Sequence, residues 1–375
     1  MLFLNRARFR GSIAARGDSL DLGLNELHET TDVMNLGRSD LRPSCRWLLA
    51  ALLSTFVATA PGRDDDRSNY TPTPPVLYPE GVKSLRDVTY AELSGFRPLT
   101  LDLYLPAGRG QPRTVVVFVH GGAFRHRTAR DGGTYRDFPA VLASVAARGY
   151  VVASVNYRFI GEARFPGPVQ DVGMAVRWLR SHAADYDIDA TRFVAWGSSA
   201  GGQIATLIGT ACGTPLIEPP LLEDAHSTAK QPIPSACVQG VIDWYGIIDL
   251  ESNAAELGKA DVVASSTREA AYLGCEFSKC APGFARSASP LAYIDAKDPP
   301  FLIQHGAADT SVSPQQSQKL YEALRAAGVP AELVLYPGVD HGFAKIPGGG
   351  PDDAINRQAL DRVFDFLARY FPPSK

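Results

Sequence analysis

The chain has 375 residues, of which 45% are hydrophobic and 21% charged, with a formal net charge of -3. This is a globular composition with enough chain for a large core, as one long α/β domain or as two smaller ones. A pI near 6.2 leaves no basic footprint for nucleic acid, and no apolar run reaches the roughly 20 residues of a membrane-spanning helix.

Residues 1–33 are polar and Arg-rich. Arg38, Arg42 and Arg46 then precede an apolar core from Trp47 to Ala58, and Ala58-Thr59-Ala60 offers a small-residue exit before Pro61. A positive flank, a short apolar core and an A-x-A exit predict a secretory signal peptide over 34–60. Met34 starts a leader of ordinary size, so residues 1–33 read as a non-native or disordered extension upstream of the true start. No Arg-Arg pair lies in the flank, which points to general export rather than the twin-arginine route. No Cys follows the apolar core to carry a lipid. The expected location is periplasmic or secreted.

Export changes the reading of the cysteines. Cys45 leaves with the leader, and Cys212, Cys237, Cys275 and Cys280 remain. Four cysteines in an oxidising compartment predict two disulfides, with three pairings open. Joining Cys275 to Cys280 closes a tight loop; joining Cys212 to Cys237 staples a Pro-rich stretch. In a cytosolic protein the same four would be free buried thiols. No His stands at ligand spacing beside them, so no metal is expected.

Residues 61–85 carry Asp64-Asp65-Asp66 and then Pro72, Pro74 and Pro75, the composition of a linker or N-terminal arm. Asn69-Tyr70-Thr71 fits an N-glycosylation sequon. From residue 86 to the end the pattern is that of one domain. Residues 87–93 and 99–105 alternate apolar and polar, as in an antiparallel hairpin. Residues 114–119 are continuously apolar, the mark of a strand covered on both faces of a parallel sheet. Helix 138–148, strand 150–155, helix 169–184 and strand 192–196 follow, then strands 238–244, 301–305 and 331–336 and helices 314–327 and 352–370. Alternating βα units with apolar strands predict an α/β fold with a mostly parallel, doubly wound sheet of eight strands and helices on both faces. Two insertions, 209–236 and 249–290, interrupt the alternation and are expected to form a small cap or pocket wall.

The chemistry centres on Gly197-Ser198-Ser199-Ala200-Gly201, which joins strand 192–196 to an apolar helical stretch from Ile204 to Ile208. A Gly-x-Ser-x-Gly bend of this kind lifts the serine hydroxyl above the strand end and sets it at a helix N-terminus. A serine nucleophile needs a base, and the base needs an acid to orient it. Asp309 lies just past strand 301–305 and His341 just past strand 331–336, so Ser199, Asp309 and His341 come in the required chain order. Asp243 and Asp249 are the runner-up acids. Asp340 is expected in a salt-bridged or solvated role, and His305 in a buried structural one. The oxyanion hole is expected from the N–H groups of Ala200, Gly122 and Ala123. His120 is expected to brace the Gly122 loop, and Arg125-His126-Arg127 to form a solvated rim.

His120-Gly121-Gly122-Ala123-Phe124, Asn156-Tyr157-Arg158, Gly197 to Gly202, Ser289-Pro290, Pro299 to Gly306 and Asp340-His341-Gly342-Phe343 together resemble the α/β-hydrolase fold. Within it they resemble the carboxylesterases related to hormone-sensitive lipase, and most closely the bifunctional feruloyl and acetylxylan esterase-like branch. The resemblance covers roughly residues 85–370. It departs at Ala123, where many relatives carry a third Gly; only the N–H is needed there. It implies a cofactor-free serine carboxylesterase acting on short acyl or hydroxycinnamoyl esters, small or carbohydrate-linked. The alternatives are a prolyl-oligopeptidase-like peptidase or arylformamidase on the same fold, or a non-catalytic α/β-hydrolase serving as a binding module.

Overall fold

A computed structural model describes residues 74–373 apart from 109, 219–232, 259–266 and 347–349. The expected leader, the extension before it and most of the linker lie outside the described residues. So do the sequon and the middle of the first insertion.

The main sheet runs β1(Val76–Leu77), β2(Lys83–Ala91), β3(Leu99–Leu105), β4(Arg113–Val119), β5(Val151–Val155), β6(Ile188–Ser198), β7(Gly240–Trp244), β8(Phe301–Gly306) and β9(Ala331–Tyr336). Its spatial order is β1-β2-β3-β5-β4-β6-β7-β8-β9. The pairs from β5 through β4 to β9 are parallel, and β1, β2 and β3 add an antiparallel edge. The eight expected strands are all present, and the two-residue β1 adds a ninth. β2 starts and ends earlier than the alternation suggests because a bulge interrupts its pairing between Leu85 and Val88. There Asp87 adopts φ 54°, and its N–H donates to Asp102 Oδ1 at 2.9 Å. A bulge breaks the period of two, so the polar residues no longer report one wet face.

Helices α1(Phe138–Ala146), α2(Gly167–Ser181), α3(Ala200–Thr210), α4(Asn253–Glu256), α5(Arg268–Leu273), α6(Phe284–Ser287), α7(Pro314–Ala326) and α8(Asp353–Tyr370) complete the described domain. β4 explains the two-layered core. Val115, Val117 and Val119 join one cluster with Val172 and Val176 of α2, Ile204 and Leu207 of α3 and Leu320 of α7. Val116 and Phe118, pointing the other way, join Phe138 and Leu142 of α1 and Val363 and Phe366 of α8. Successive side chains alternate across a strand, so an unbroken apolar run serves both faces at once. Burying each such side chain contributes roughly 1.5–3 kcal/mol, which fixes β4 at the centre of the sheet.

β4 has β5 on one side and β6 on the other. The connections leaving β4 and β6 therefore diverge, opening a crevice at the C-terminal strand ends where sheets of this kind bind ligands.

Both disulfides link the pairs Cys212–Cys237 and Cys275–Cys280. The described ends of the first insertion are held to α2: Arg177 donates to Ile217 O at 2.6 Å and Arg180 to Cys237 O at 2.9 Å. The second insertion carries α4, α5 and α6 and reaches the crevice, where Tyr272 stacks on Phe124 at 3.9 Å between ring centroids. No described helix is long and apolar enough to cross a membrane.

Candidate active site

Ser199 occupies the single residue between β6 and α3, at φ 54° and ψ −119°. A left-handed φ is rare for a non-Gly residue and persists only where the surroundings over-determine it. Here they do. Ser199 N–H donates to Trp244 O at 2.8 Å on one side, and its C=O accepts from Gln203 N at 3.0 Å on the other. Backbone from the far side of the bend leaves no room for a Cβ at its glycines: one on Gly197 would sit 2.0 Å from Gly201 O. The spacing of the motif is thus the steric footprint of the turn.

The three residues singled out in the sequence come together in one row. Ser199 Oγ lies 2.9 Å from His341 Nε2, and His341 Nδ1 lies 2.7 Å from Asp309 Oδ2. An ionised carboxylate only accepts, so His341 Nδ1–H donates to it, and Nε2 is left to accept the Ser199 hydroxyl proton. Asp309 is fully saturated. Its Oδ1 accepts from Ser311 N and Val312 N, each at 2.8 Å, and its Oδ2 accepts from both His341 and His305 Nε2, the latter at 3.1 Å. Burial opposes the charge, but the hydrogen bonds from His305 and His341 outweigh it and hold the carboxyl well below the usual carboxylate range.

His305 thus does more than fill the core. Its Nε2 also faces Val312 O at 3.1 Å, and its Nδ1 faces Ser317 Oγ at 2.7 Å. Two acceptors at Nε2 require Nε2–H, with the Ser317 hydroxyl donating to Nδ1. A second positioning side chain, Tyr245, packs edge-on against His341 with ring centroids 5.0 Å apart. In the sequence His305 reads as a buried structural residue at a strand end. Asp340 clips the His341 loop to the Asp309 loop: its Oδ1 accepts from Thr310 N at 2.8 Å and from His341 N at 2.7 Å.

Neither runner-up acid joins the row. Asp249 pairs with Lys319 at 3.3 Å. Asp243 is fully buried beneath the start of α3, where Oδ1 accepts from Gly246 N at 3.0 Å and Oδ2 has no partner in the protein. Burial pushes its carboxyl up to about 7, with His305 and the Gly246 N–H pulling in the other direction. The sign of the resulting pH dependence is fixed. Below about pH 4 folded and unfolded chains both hold this proton; between about 4 and 7 only the folded chain does. Stability from this group therefore falls as pH rises through that window, by on the order of 4 kcal/mol at full effect. In Asp243→Asn the difference in Tm from the parent should move in the variant's favour between pH 4 and 7.5. A constant difference across that range contradicts the assignment.

On the other wall, Gly122 and Ala123 stand at φ 110° and 54° in the loop after β4. A Cβ on Gly122 would meet His126 O at 2.1 Å, so only glycine fits this turn. Gly122 O accepts from Arg125 N at 3.0 Å and from His126 N at 3.3 Å, while the N–H groups of Gly122, Ala123 and Ala200 meet no acceptor among the described residues. Three undirected donors beside Ser199 match what a developing oxyanion requires. His120 braces the loop: it is buried, its Nδ1–H donates to Gly121 O at 2.7 Å, and its ring stacks on Tyr157. Burial pushes its imidazole down to about 4, which keeps it neutral. A cavity of about 170 Å³ opens over Ser199 and His341 between these walls. Among the described residues, no group of three or more His, Cys, Asp or Glu is arranged to hold a metal ion.

Fold and site together have the architecture of an α/β-hydrolase. The chain belongs to the BD-FAE family, whose match covers residues 101–324. It is similar to the esterase LipC of Mycobacterium tuberculosis, 30% identical over 67% of this chain and 58% of that protein. It is similar also to the esterase LipQ of the same organism, 29% identical over 75% of this chain and 61% of that one. The chain thus spans less than two thirds of the length of these curated relatives. Among solved structures, a truncated carbohydrate esterase from gut microbiota superposes with a TM-score of 0.60 at 28% identity, covering 76% of this chain and 95% of that one.

Proposed function

We propose that this protein is an exported serine carboxylesterase that hydrolyses short-chain acyl or hydroxycinnamoyl esters, including carbohydrate-borne ones, through an acyl-enzyme. The observation that carries the reading is the unbroken row from Asp309 through His341 to Ser199, beside three backbone N–H groups that meet no acceptor among the described residues. In this mechanism His341 Nε2 takes the Ser199 proton as Oγ attacks the ester carbonyl. The Gly122, Ala123 and Ala200 N–H groups stabilise the tetrahedral oxyanion, and Asp309 stabilises the imidazolium. The imidazolium then protonates the departing alcohol. Water, deprotonated by His341, attacks the acyl-enzyme and releases the acid and free Ser199.

A cavity of about 170 Å³ is below the roughly 300–1,000 Å³ of drug-sized pockets, which favours a small acyl group. The likeness to a carbohydrate esterase supports a sugar-borne ester, and the leader read over 34–60 supports export. Across p-nitrophenyl acetate, butyrate and octanoate, kcat/KM should fall with chain length. Preference for octanoate would instead place this site among lipid esterases, and faster cleavage of p-nitroanilides would make it a peptidase.

A further inference from the structure

Among the described residues, the walls of the cavity over Ser199 carry two guanidinium groups and no acidic side chain. Arg127 extends from the Gly122 loop, and Arg268 from the start of α5 in the second insertion. Several arginines elsewhere meet a carboxylate at close range, while Arg177 and Arg180 end on backbone carbonyls of the first insertion. Arg97 meets Glu162 at 2.8 Å, Arg130 meets Asp102 at 2.7 Å and Arg158 meets Asp171 at 2.6 Å. The two arginines at the cavity have no carboxylate closer than 3.9 Å among the described residues. Arg127 donates one N–H to Gly133 O at 3.2 Å and has no carboxylate within 4.0 Å among the described residues. Arg268 donates to Ser311 O at 2.9 Å, and among the described residues the carboxylate it reaches is Glu269, at 3.9 Å.

Neither is a freely waving surface side chain. Arg127 is partly buried, its backbone stands at φ 81°, and its stem runs beside Gly122, where Cγ would lie 3.2 Å from a Cβ on that glycine. Arg268 is tethered by the loop that supplies Asp309. Asp309 of the same site offers them no free oxygen, because it is buried and its oxygens are already taken by four N–H donors. Removing a guanidinium partly from water is costly unless an anion answers it, and its planar fork is suited to a carboxylate.

Resting on the reading of Ser199 as the nucleophile, we infer that the ester cleaved here carries a carboxylate near the scissile bond, recognised by Arg127 and Arg268. An acid group on the acyl side (a half-ester of a dicarboxylic acid) and one on the alcohol side (an acylated acidic sugar or hydroxy acid) present the same chemistry. Hydrolysis is unchanged by it: Ser199 Oγ forms the acyl bond, the C–O bond to the alcohol breaks, and water restores the serine.

Two matched pairs separate the sources. On the acyl side p-nitrophenyl hemisuccinate is compared with p-nitrophenyl valerate, and on the alcohol side 3-acetoxybenzoate with 3-acetoxybenzamide. Each rate is divided by the spontaneous rate of the same ester. In one pair kcat/KM for the anionic member should exceed that of its neutral partner by about 10-fold or more, since a charge-assisted contact of 1.5–3 kcal/mol corresponds to roughly 10–100-fold. Raising salt from about 0.05 to 1 M should shrink that ratio. Arg127→Gln and Arg268→Gln should each reduce it, and Arg127→Lys should restore part of it. Neutral esters preferred in both pairs, or a ratio indifferent to salt and to both substitutions, would overturn the proposal. Failure of all four esters, with no labelling by a fluorophosphonate, would instead overturn the Ser199 reading and this proposal with it.

Discussion

Ser199→Ala is expected to lower kcat for p-nitrophenyl acetate by about 10⁴-fold or more, leaving the fold intact. The size follows from the reaction rather than from the fold. Without Oγ no acyl-enzyme forms, and what remains is the contribution of binding and of the Gly122, Ala123 and Ala200 N–H groups to direct attack by water. The backbone at φ 54° is held by Trp244 O, Gln203 N and the glycines of the bend, none of which depends on the hydroxyl. Far-UV circular dichroism and Tm should therefore match the parent. Turnover within about 10-fold of the parent would assign the nucleophile elsewhere.

Asp309→Asn is expected to cost about 10³–10⁴-fold in kcat while substrate binding holds. The hydrogen-bond network dictates which way the amide sits. Ser311 N and Val312 N both donate to the position of Oδ1, so the amide oxygen must stay there. The NH₂ then occupies the position of Oδ2, facing His341 Nδ1 and His305 Nε2. A donor opposite His341 Nδ1 makes that nitrogen an acceptor and moves the ring proton to Nε2. The base then presents N–H to Ser199 and has no lone pair to take its proton. Nitrogen-15 NMR of the histidines should report the exchanged tautomer, and kcat should fall with little change in KM. An unchanged rate would mean that the acid is dispensable and that His341 is oriented by other contacts.

Much of this was legible in the chain because the relevant signals are local. Residues 114–119 are apolar throughout, and only a strand with neighbours on both sides and helices on both faces accommodates that. Ser199, Asp309 and His341 each lie within a few residues of an apolar strand end, so their order could be read before their distances. The rest was hidden because it depends on where distant segments meet. Asp87 looks like an ordinary polar residue in an alternating strand until the bulge turns it toward Arg130, 2.9 Å away. His305 reads as core because nothing in its own stretch tells that the Asp309 loop folds back over it. Arg127 stands in a run that looks solvated, and Arg268 in an insertion without evident partners. Their shared cavity with Ser199 emerges only in three dimensions. Asp243 carries the same lesson: an acid at a strand end suggests a site, yet burial beneath α3 takes it out of reach of His341.

The measurement closest to the central claim is covalent labelling of the purified protein with a fluorophosphonate, followed by peptide mass spectrometry. A single adduct on Ser199, lost in Ser199→Ala and suppressed in Asp309→Asn, is the predicted result. An adduct on Ser198 or another serine, or folded protein that takes up no label, would contradict it.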